Sequence, residues 1–316
     1  MEAPQGGFFL SSKQPYSKIA TSLKDQVELM VSRGLVIDDT QKTEHYLKFI
    51  GYYRLGGYAR HFRVGSGADP ERYIHGTTFS DVLDLYIFDR KMRLLMFDAI
   101  ERVEVAVRAA ISNAGSLSGG GPFWLTDANN FDYGRHGIVT REIEAAIGDV
   151  KSGSHQHPFI EHFYNKYSDV YPPSWMLMEC FSIGSISKIY KIMKGNLRQT
   201  VAREFNLQHD VLESWLHSIS HSRNICAHHS RCWKRIFTIK AKIPKSYRKN
   251  IPENSENKLY SQCWMLAHFM KIIADGSRWP ERLSELIVSR PKTSLLDMGF
   301  PEDWRDHEFW GLPKQK

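Results

Sequence analysis

The sequence predicts a mostly α-helical fold, and three observations indicate it. Apolar residues recur at intervals of three and four through most of the chain, which is the period of an amphipathic helix. Strand-like alternation is scarce, and its clearest case, residues 235–243, predicts a short strand or an extended arm. The apolar content of 42% and charged content of 24% are typical of a globular protein with a substantial core.

The first 76 residues divide into two parts. Residues 1–16 are rich in Gly, Ser and Pro, and we expect a flexible N-terminus there. Residues 17–76 predict an N-terminal helical region, with a first helix stopped by Gly34 and a second ending near Ile50. The first helix is indicated by apolar residues at helical spacing: Ile19, Leu23, Val27 and Met30.

The clearest element is a long core helix over residues 80–115, with Ser80 as its N-cap and Gly115 as its stop. The Gly-rich segment that follows matches neither a Walker loop nor a dinucleotide fingerprint, so we interpret it as a connector and expect no nucleotide cofactor. One apolar stripe runs along the helix: Leu85, Phe88, Met92, Leu95, Ala99, Val103, Ala106 and Ala110.

Residues 77–290 predict a single large helical domain, followed by a Trp-rich C-terminal tail, 291–316. After the connector, helical patterns cover 136–151, 157–168, 175–190 with an interruption at Gly184, a run from His209, 256–275 and 280–290.

The sequence also points to a cellular compartment. No run of roughly 18 apolar residues predicts a membrane span, and the N-terminus has no secretory signal pattern, so we expect a cytoplasmic protein without membrane contact. The four cysteines form no CxxC pair, which favours reduced thiols over a disulfide framework or a zinc knuckle.

The positive charge is concentrated in one interval. The formal net charge is +7, yet no Asp or Glu lies between Glu213 and Glu253, where nine Lys and Arg residues alternate with aromatic ones. Cations mixed with aromatic rings favour RNA or DNA binding, although a solvated basic loop has the same composition. The candidate RNA-binding residues are Arg231, Trp233, Lys234, Arg235, Lys240, Lys242 and Lys245, with a possible second surface at Tyr52, Tyr53, Arg54 and Arg63.

The segment SISHSRNICAHHSRCWKRIF, residues 218–237, opens this interval, and its first part predicts a two-faced helix. On an ideal helix Arg223 lies about 140° around the axis from His228. The two side chains therefore meet only if the helix kinks or ends within RNICAHH, or if a second chain supplies one of them. The apolar face holds Leu212, Trp215, Leu216, Ile219 and Cys226; the opposite stripe holds His217, His221, Asn224 and His228.

These residue types suit RNA cleavage without a metal. A histidine exchanges the proton of a ribose 2′-hydroxyl, and an arginine holds the phosphate with two hydrogen bonds. A zinc site at His217 and His221 has the right spacing but lacks the Glu of an HExxH motif. Cys226 lies on the apolar face and is expected in the core.

Glu101 and Glu104, on the long helix, are favoured as ion-pair partners of Arg108 rather than as acids of the site.

The segment SRNICAHHSRCWKR resembles the R-N-x-x-x-H motif of HEPN domains, as found in bacterial Abi family proteins of the AbiD/AbiF type. FDAIERVEVAVRAAI and PPSWMLMECFSIGSISKIY are similar to that family's central helix and to the block before its motif. LKDQVELMVSRGLVIDDTQKTEHYLKFIGYYRLGGYARHFR is similar to its N-terminal signature. The similarity covers about residues 13–275.

This resemblance implies an all-α, HEPN-like helical bundle with an N-terminal extension and C-terminal helices. It also implies a homodimer with a composite site, and a metal-independent endoribonuclease that needs no cofactor. The role would be abortive infection or toxin–antitoxin phage defence, restrained by a partner or a small noncoding RNA. Arg223 would grip the phosphate, Asn224 would orient the site, and His228 would be the acid or base, with His229 as the ambiguous second histidine. The alternative is a noncatalytic RNA-binding protein that holds a specific small RNA.

Overall fold

A computed structural model describes residues 15–17, 19–148 and 157–312, and over these ranges the predicted all-α class is confirmed. Only isolated bridges, and no β-strand, are formed there. Most of the expected flexible N-terminus, 1–16, lies outside the described residues. The α-helices are α1 (Leu23–Ser32), α2 (Thr40–Ile50), α3 (Tyr52–Ala59), α4 (Phe79–Ser118), α5 (His136–Ile147), α6 (Pro158–Lys166), α7 (Ser174–Cys180), α8 (Ile183–Ile192), α9 (Gly195–Glu204), α10 (His209–Ala227), α11 (Leu259–Ile273) and α12 (Trp279–Val288).

The chain divides into two compact units, Met1–Tyr86 and Ile87–Lys316. In the first unit, α1 begins only at Leu23, because the Ser22 and Asp25 side chains form a capping box that fixes the helix start. Ile19, which the spacing placed in this helix, is 86% exposed and precedes it. Apolar side chains from all three short helices form the core of this unit: Val27, Met30, Leu47, Leu55 and Tyr58.

The long helix α4 differs from the prediction at both ends. Thr78 caps it through reciprocal hydrogen bonds with Asp81, so Ser80 is not the N-cap. Gly115 does not stop the helix, and a Cβ on this residue would lie 2.1 Å from Cε2 of the buried Trp124. This glycine is therefore present for the close approach of an indole. The buried stripe ends with Val107, Ile111 and Ala114, while the predicted Ala106 and Ala110 are half-buried.

Further along the second unit, the predicted helix over 175–190 is two helices. They are separated at Phe181 and Ser182, where the Ser182 hydroxyl accepts from the backbone N–H of Ser185 and caps α8. The break therefore lies before Gly184. Helix α9 was not predicted from the sequence, because its window has few apolar residues.

The core of the second unit is built around α10 and α11, which pack against each other, with α8 and α9 on α10. Every residue from Leu259 to Met270 in α11 is buried. Gln262 Oε1 accepts hydrogen bonds from the hydroxyls of Ser218 and Ser222 and so ties the two helices together.

The Trp-rich C-terminal segment packs against this core. Trp304 and Trp310 are at most 2% exposed, and the Trp310 indole lies 3.4 Å from the Tyr260 hydroxyl oxygen. Aromatic burial of this kind stabilises the unit, so Phe300, Trp304 and Trp310 of this segment are part of its core. No helix in the described part of the chain is long and apolar enough to cross a membrane.

Candidate functional site

Helix α10 carries the predicted motif, and its two faces are those expected. The five predicted apolar-face residues, Leu212, Trp215, Leu216, Ile219 and Cys226, are each at most 6% exposed. The opposite stripe reaches the surface, where Asn224 and His228 are exposed. Burial of one face of a 19-residue helix fixes its rotation, so the motif is held at the surface by the core beneath it.

The end of α10 separates the two adjacent histidines. The helix ends at Ala227 with His228 as its C-cap. The backbone N–H of His229 donates to the carbonyl of Cys226 at 3.1 Å, and that of Ser230 to Ile225 at 2.9 Å. This is a Schellman motif, and His229 occupies its left-handed position with φ 54°, where glycine is the usual residue. His228 thus stays on the helical path, whereas His229 lies in the turn that leaves it.

Within the chain, Arg223 and His228 lie on different sides of α10. The backbone N–H of His228 still donates to the carbonyl of Asn224 at 2.9 Å, so the backbone is helical from Arg223 as far as His228. The two side chains therefore keep their angle of about 140° around the helix axis. The Arg223 guanidinium donates to Asn224 Oδ1 at 3.4 Å, and no hydrogen bond among the described residues joins it to His228. A second chain stays the predicted source of the complementary group.

A buried ion pair on α4 fixes the loop that follows the motif. Asp89 is fully buried, and its Oδ1 accepts the backbone N–H groups of Cys232 at 3.1 Å and Trp233 at 2.6 Å. Its other carboxylate oxygen pairs with Arg93, whose guanidinium also lies 3.5 Å from the Ser230 carbonyl. Two charged side chains on one rigid helix therefore anchor residues 230–233.

This anchor was missed from the sequence, although a signal was present. Asp89 and Arg93 are four residues apart and lie on the side of α4 that carries Leu85, Met92 and Met96, all of them buried. A carboxylate and a guanidinium within an apolar stripe predict a buried pair, because isolated charges are almost never buried without a partner.

After the loop, residues 237–243 form the extended arm allowed by the sequence. Phe237, Ala241 and Ile243 point inward, while Thr238, Lys240 and Lys242 are exposed. The arm runs antiparallel to α10 and is bonded to it through Ser218 Oγ to the Ile239 carbonyl at 3.2 Å, the Trp215 indole to the Lys242 carbonyl at 2.8 Å, and the Lys242 N–H to Ser214 Oγ at 2.8 Å, with Thr238 Oγ1 also 3.2 Å from His221 Nε2. The alternating residues that resembled a strand therefore pack and hydrogen-bond against a helix instead of a neighbouring strand.

The predicted RNA-binding residues of this region fall into two groups. Arg231, Lys240 and Lys245 are exposed, and Arg235 is half-buried with its guanidinium on the Arg231 carbonyl at 3.3 Å. Lys234 pairs with Asp297 at 3.1 Å, and Lys242 pairs with Asp210. Acidic residues from outside the acid-free interval thus offset part of its charge.

The expectation that Trp233 stacks on a base does not fit the structure. Its side chain is 1% exposed, and Arg231 and Lys234 lie over its ring at 5.8 Å and 5.9 Å. Phe237 is equally buried. These aromatic residues hold the arm and its preceding loop to the core, and the surface that remains is cationic rather than aromatic.

The other histidines of the stripe have ordinary surroundings. His217 is exposed, and His221 Nε2 lies 3.2 Å from Thr238 Oγ1 on the arm. Burial, followed by the charges of Arg235 and His217, lowers the pKa of His221. In the described ranges, no three His, Cys, Asp or Glu side chains come close enough to hold a metal ion.

The cysteines and Glu104 follow the sequence prediction, whereas Glu101 is exposed and forms no ion pair with Arg108 in the described ranges. All four cysteines are free, and Cys226 is in the core. A hydrogen bond with Cys226 and then burial raise the pKa of the Cys232 thiol, which keeps it protonated. Glu104 pairs with Arg108 at 3.1 Å, and Arg108 also pairs with Glu179 at 3.3 Å.

The second candidate RNA surface has Tyr52, Tyr53 and Arg54 on α3 of the first unit, and Arg63 follows that helix. Tyr53 is 96% exposed and Arg54 is exposed beside it. By contrast, Arg63 has a side chain only 12% exposed and pairs with Glu71, while the Tyr52 hydroxyl lies 3.5 Å from the Arg33 guanidinium. Tyr53 and Arg54 are therefore the accessible members of this set.

A family model described as Abi-like protein matches residues 45–234, which is 190 of the 316 residues. The chain belongs to the Abi-like protein family. The match to the Abi-like family includes α4 with its buried ion pair, all of α10 and the loop through Lys234. No curated protein and no solved structure matches the chain. Family membership suggests a role in abortive-infection defence against phage.

Proposed function

We propose that this Abi-like protein is a metal-independent endoribonuclease that acts in abortive-infection or toxin–antitoxin defence against phage. One observation carries the proposal: an arginine, an asparagine and two histidines are presented at the end of one buried helix. The residues are Arg223, Asn224, His228 and His229. Asp89 and Arg93 fix the loop behind them, as a site with defined geometry requires.

Each group has a role that follows from its chemistry. Arg223 holds the scissile phosphate and the charge that develops on it, and Asn224 orients the guanidinium through its side-chain oxygen. His228 exchanges a proton with the ribose 2′-hydroxyl or the 5′ leaving oxygen. Attack by the 2′-oxygen breaks the phosphorus–5′-oxygen bond and leaves a 2′,3′-cyclic phosphate and a 5′-hydroxyl, so DNA is not cut.

A second copy completes the site in this proposal. The angular offset on α10 keeps Arg223 and His228 of one chain apart, and two chains related by a two-fold axis place the Arg of one near the His of the other. A partner protein or small noncoding RNA would restrain the activity. Exposed Lys240 and Lys245, which lie on the arm and beyond it, favour RNA binding as such, so a noncatalytic RNA-binding protein is the second candidate.

The test is a cleavage assay in EDTA on single-stranded RNA, with His228→Ala compared with His217→Ala. Both histidines are exposed and belong to the same stripe of α10, so the two substitutions are matched. We expect His228→Ala to lose about 10²-fold or more in rate and His217→Ala to stay near wild type. Equal rates for wild type and His228→Ala would refute the site, and RNA binding without any cleavage would support the noncatalytic candidate.

Complementation tests the second copy. In a mixture of His228→Ala and Arg223→Ala chains, half of the dimers are mixed and each has one intact composite site, so about a quarter of wild-type activity returns. Activity that stays at the level of the separate variants would rule out a composite site.

A further inference from the structure

A cleft of about 770 Å³ lies at the other end of α10, far from the motif. It is bounded by the end of α9, the first turn of α10 and the segment after the extended arm. The 19 residues of α10 span about 27 Å at 1.5 Å per residue, so the cleft is about that far from His228. It is thus separate from the proposed catalytic groups.

The lining of the cleft combines an apolar floor with a polar rim. Val211 and Ile243 are buried in its floor, and the half-buried Tyr247 packs against Trp264 at 4.7 Å between ring centroids. The rim carries the exposed side chains of Arg203, Asn206, Gln208 and Lys245. An apolar and aromatic floor with amides and cations around it is what a nucleotide needs for its base, base edge and phosphate.

The rim of the cleft carries positive charge that an anionic ligand can reach. Lys242 also borders the cleft, but its ammonium is paired with Asp210, whose pKa is lowered by that hydrogen bond. Arg203 and Lys245 form no ion pair within the described ranges. An anionic ligand would therefore meet two uncompensated cations, while the carboxylate nearby is already neutralised by its own lysine.

The extended arm connects the cleft with the motif. It lies along the middle of α10, from Ser214 to His221, with Lys240 on its exposed side. A chain of phosphates that leaves the cleft along the arm would meet Lys240 next, since Lys242 is paired with Asp210. A peptide would gain less from such a track.

We propose that this cleft is a noncatalytic subsite for a nucleotide of single-stranded RNA, upstream or downstream of the bond cut at His228. The inference rests on the proposed RNA substrate and adds to it a second contact point. At about 3.4 Å per nucleotide of a stacked strand, 27 Å corresponds to about eight nucleotides. Substrates long enough to reach both points gain affinity by bivalent binding.

The experiment measures binding of fluorescently labelled 2′-O-methyl oligouridines of four and twelve nucleotides, which lack the nucleophile and are not cut. Full-length wild type is compared with Arg203→Ala/Lys245→Ala, and with Arg141→Ala/Lys166→Ala as a control. The control changes the net charge equally at exposed positions of α5 and α6.

We expect wild type to bind the twelve-mer more tightly than the four-mer. In the cleft variant, the ratio of the twelve-mer affinity to the four-mer affinity should be lower by about tenfold or more. For the twelve-mer, the slope of log affinity against log salt concentration should be shallower by about 1.4 in the cleft variant. Each phosphate contact on a single strand contributes about 0.7 to this slope, and the variant lacks two cations. The control variant should keep most of the gain.

A cleft variant that binds both oligomers as wild type does would overturn the subsite while leaving the catalytic proposal intact. The same holds if cleft and control variants weaken binding equally, because that result indicates a general charge effect. Wild type that binds neither oligomer would instead remove the RNA substrate itself, and with it both proposals.

Discussion

Replacing Asp89 tests the anchor of the motif loop most directly. In Asp89→Ala two buried backbone N–H groups lose their acceptor, at about 1–3 kcal/mol each, and the buried Arg93 guanidinium loses the carboxylate that balances its charge, at about 3–5 kcal/mol. These losses together approach the whole stability of a typical domain, about 5–15 kcal/mol. We therefore expect Asp89→Ala not to accumulate as folded protein.

Asp89→Asn is the informative variant, because its amide oxygen still accepts both N–H groups while the charge is lost. We expect the free energy of unfolding to fall by about 3 kcal/mol or more. A further Arg93→Met substitution should recover at least about 1 kcal/mol by removing the buried charge that has lost its carboxylate. Urea unfolding followed by tryptophan fluorescence measures these differences, since the chain has eight tryptophans.

Asp98→Asn on the same helix is the matched control. Asp98 is 29% exposed and pairs with Arg102 and Arg282 at the surface, so its loss should cost no more than about 1 kcal/mol. The reasoning is refuted if Asp89→Asn costs as little as this control, or if the Asp89 and Arg93 substitutions are simply additive.

Three further predictions concern other parts of the chain. Gly115→Ala should lower the free energy of unfolding by about 1–3 kcal/mol, because its Cβ would overlap a buried indole. Gly137→Ala, in a helix with open space around the residue, should raise the free energy of unfolding by up to about 1 kcal/mol. Urea titration of both variants measures these differences. Burial lowers the pKa of His268 below 6.5, so as the pH falls the unfolded chain binds this proton before the folded chain does, and the free energy of unfolding decreases below pH 6.5. His268→Gln keeps a donor for the Phe205 carbonyl but does not titrate. In urea titrations from about pH 7.5 to 5, its free energy of unfolding should therefore depend less on pH than that of wild type. His229→Gly should be no less stable than wild type in the same titration, since the left-handed backbone at this position favours glycine. Any loss of RNA cleavage in this variant would then assign a chemical role to the His229 side chain. Marked destabilisation would contradict the turn geometry.

The local features of the site were predictable from the sequence. The apolar face of α10, the exposure of Asn224 and His228, and the ion pair of Glu104 with Arg108 all depend on residues at most a few positions apart. Helical periodicity carries this information, because neighbours at i+3 and i+4 share a face whatever the rest of the chain does. Membership of the Abi-like family was also predicted, over about residues 13–275, and the family model matches residues 45–234.

Features that depend on distant residues were predicted poorly. Gly115 was expected to end α4, but an indole nine residues later uses the space of its missing side chain and the helix continues. Trp233 was expected at an RNA surface, but the loop that carries it is drawn into the core by Asp89, 144 positions earlier in the chain. Side-chain composition alone does not distinguish an aromatic residue that is buried from one that is exposed.

By itself, the sequence determined the helical class, the faces of the helices and the presence of an arginine and two histidines at the end of one of them. Only the tertiary structure decided how that end is held, which cations remain unpaired, and that His228 stays on the helical path while His229 lies in the turn after it. The physical reason is that helical propensity and periodicity are local, whereas burial and charge pairing depend on which distant segments come into contact.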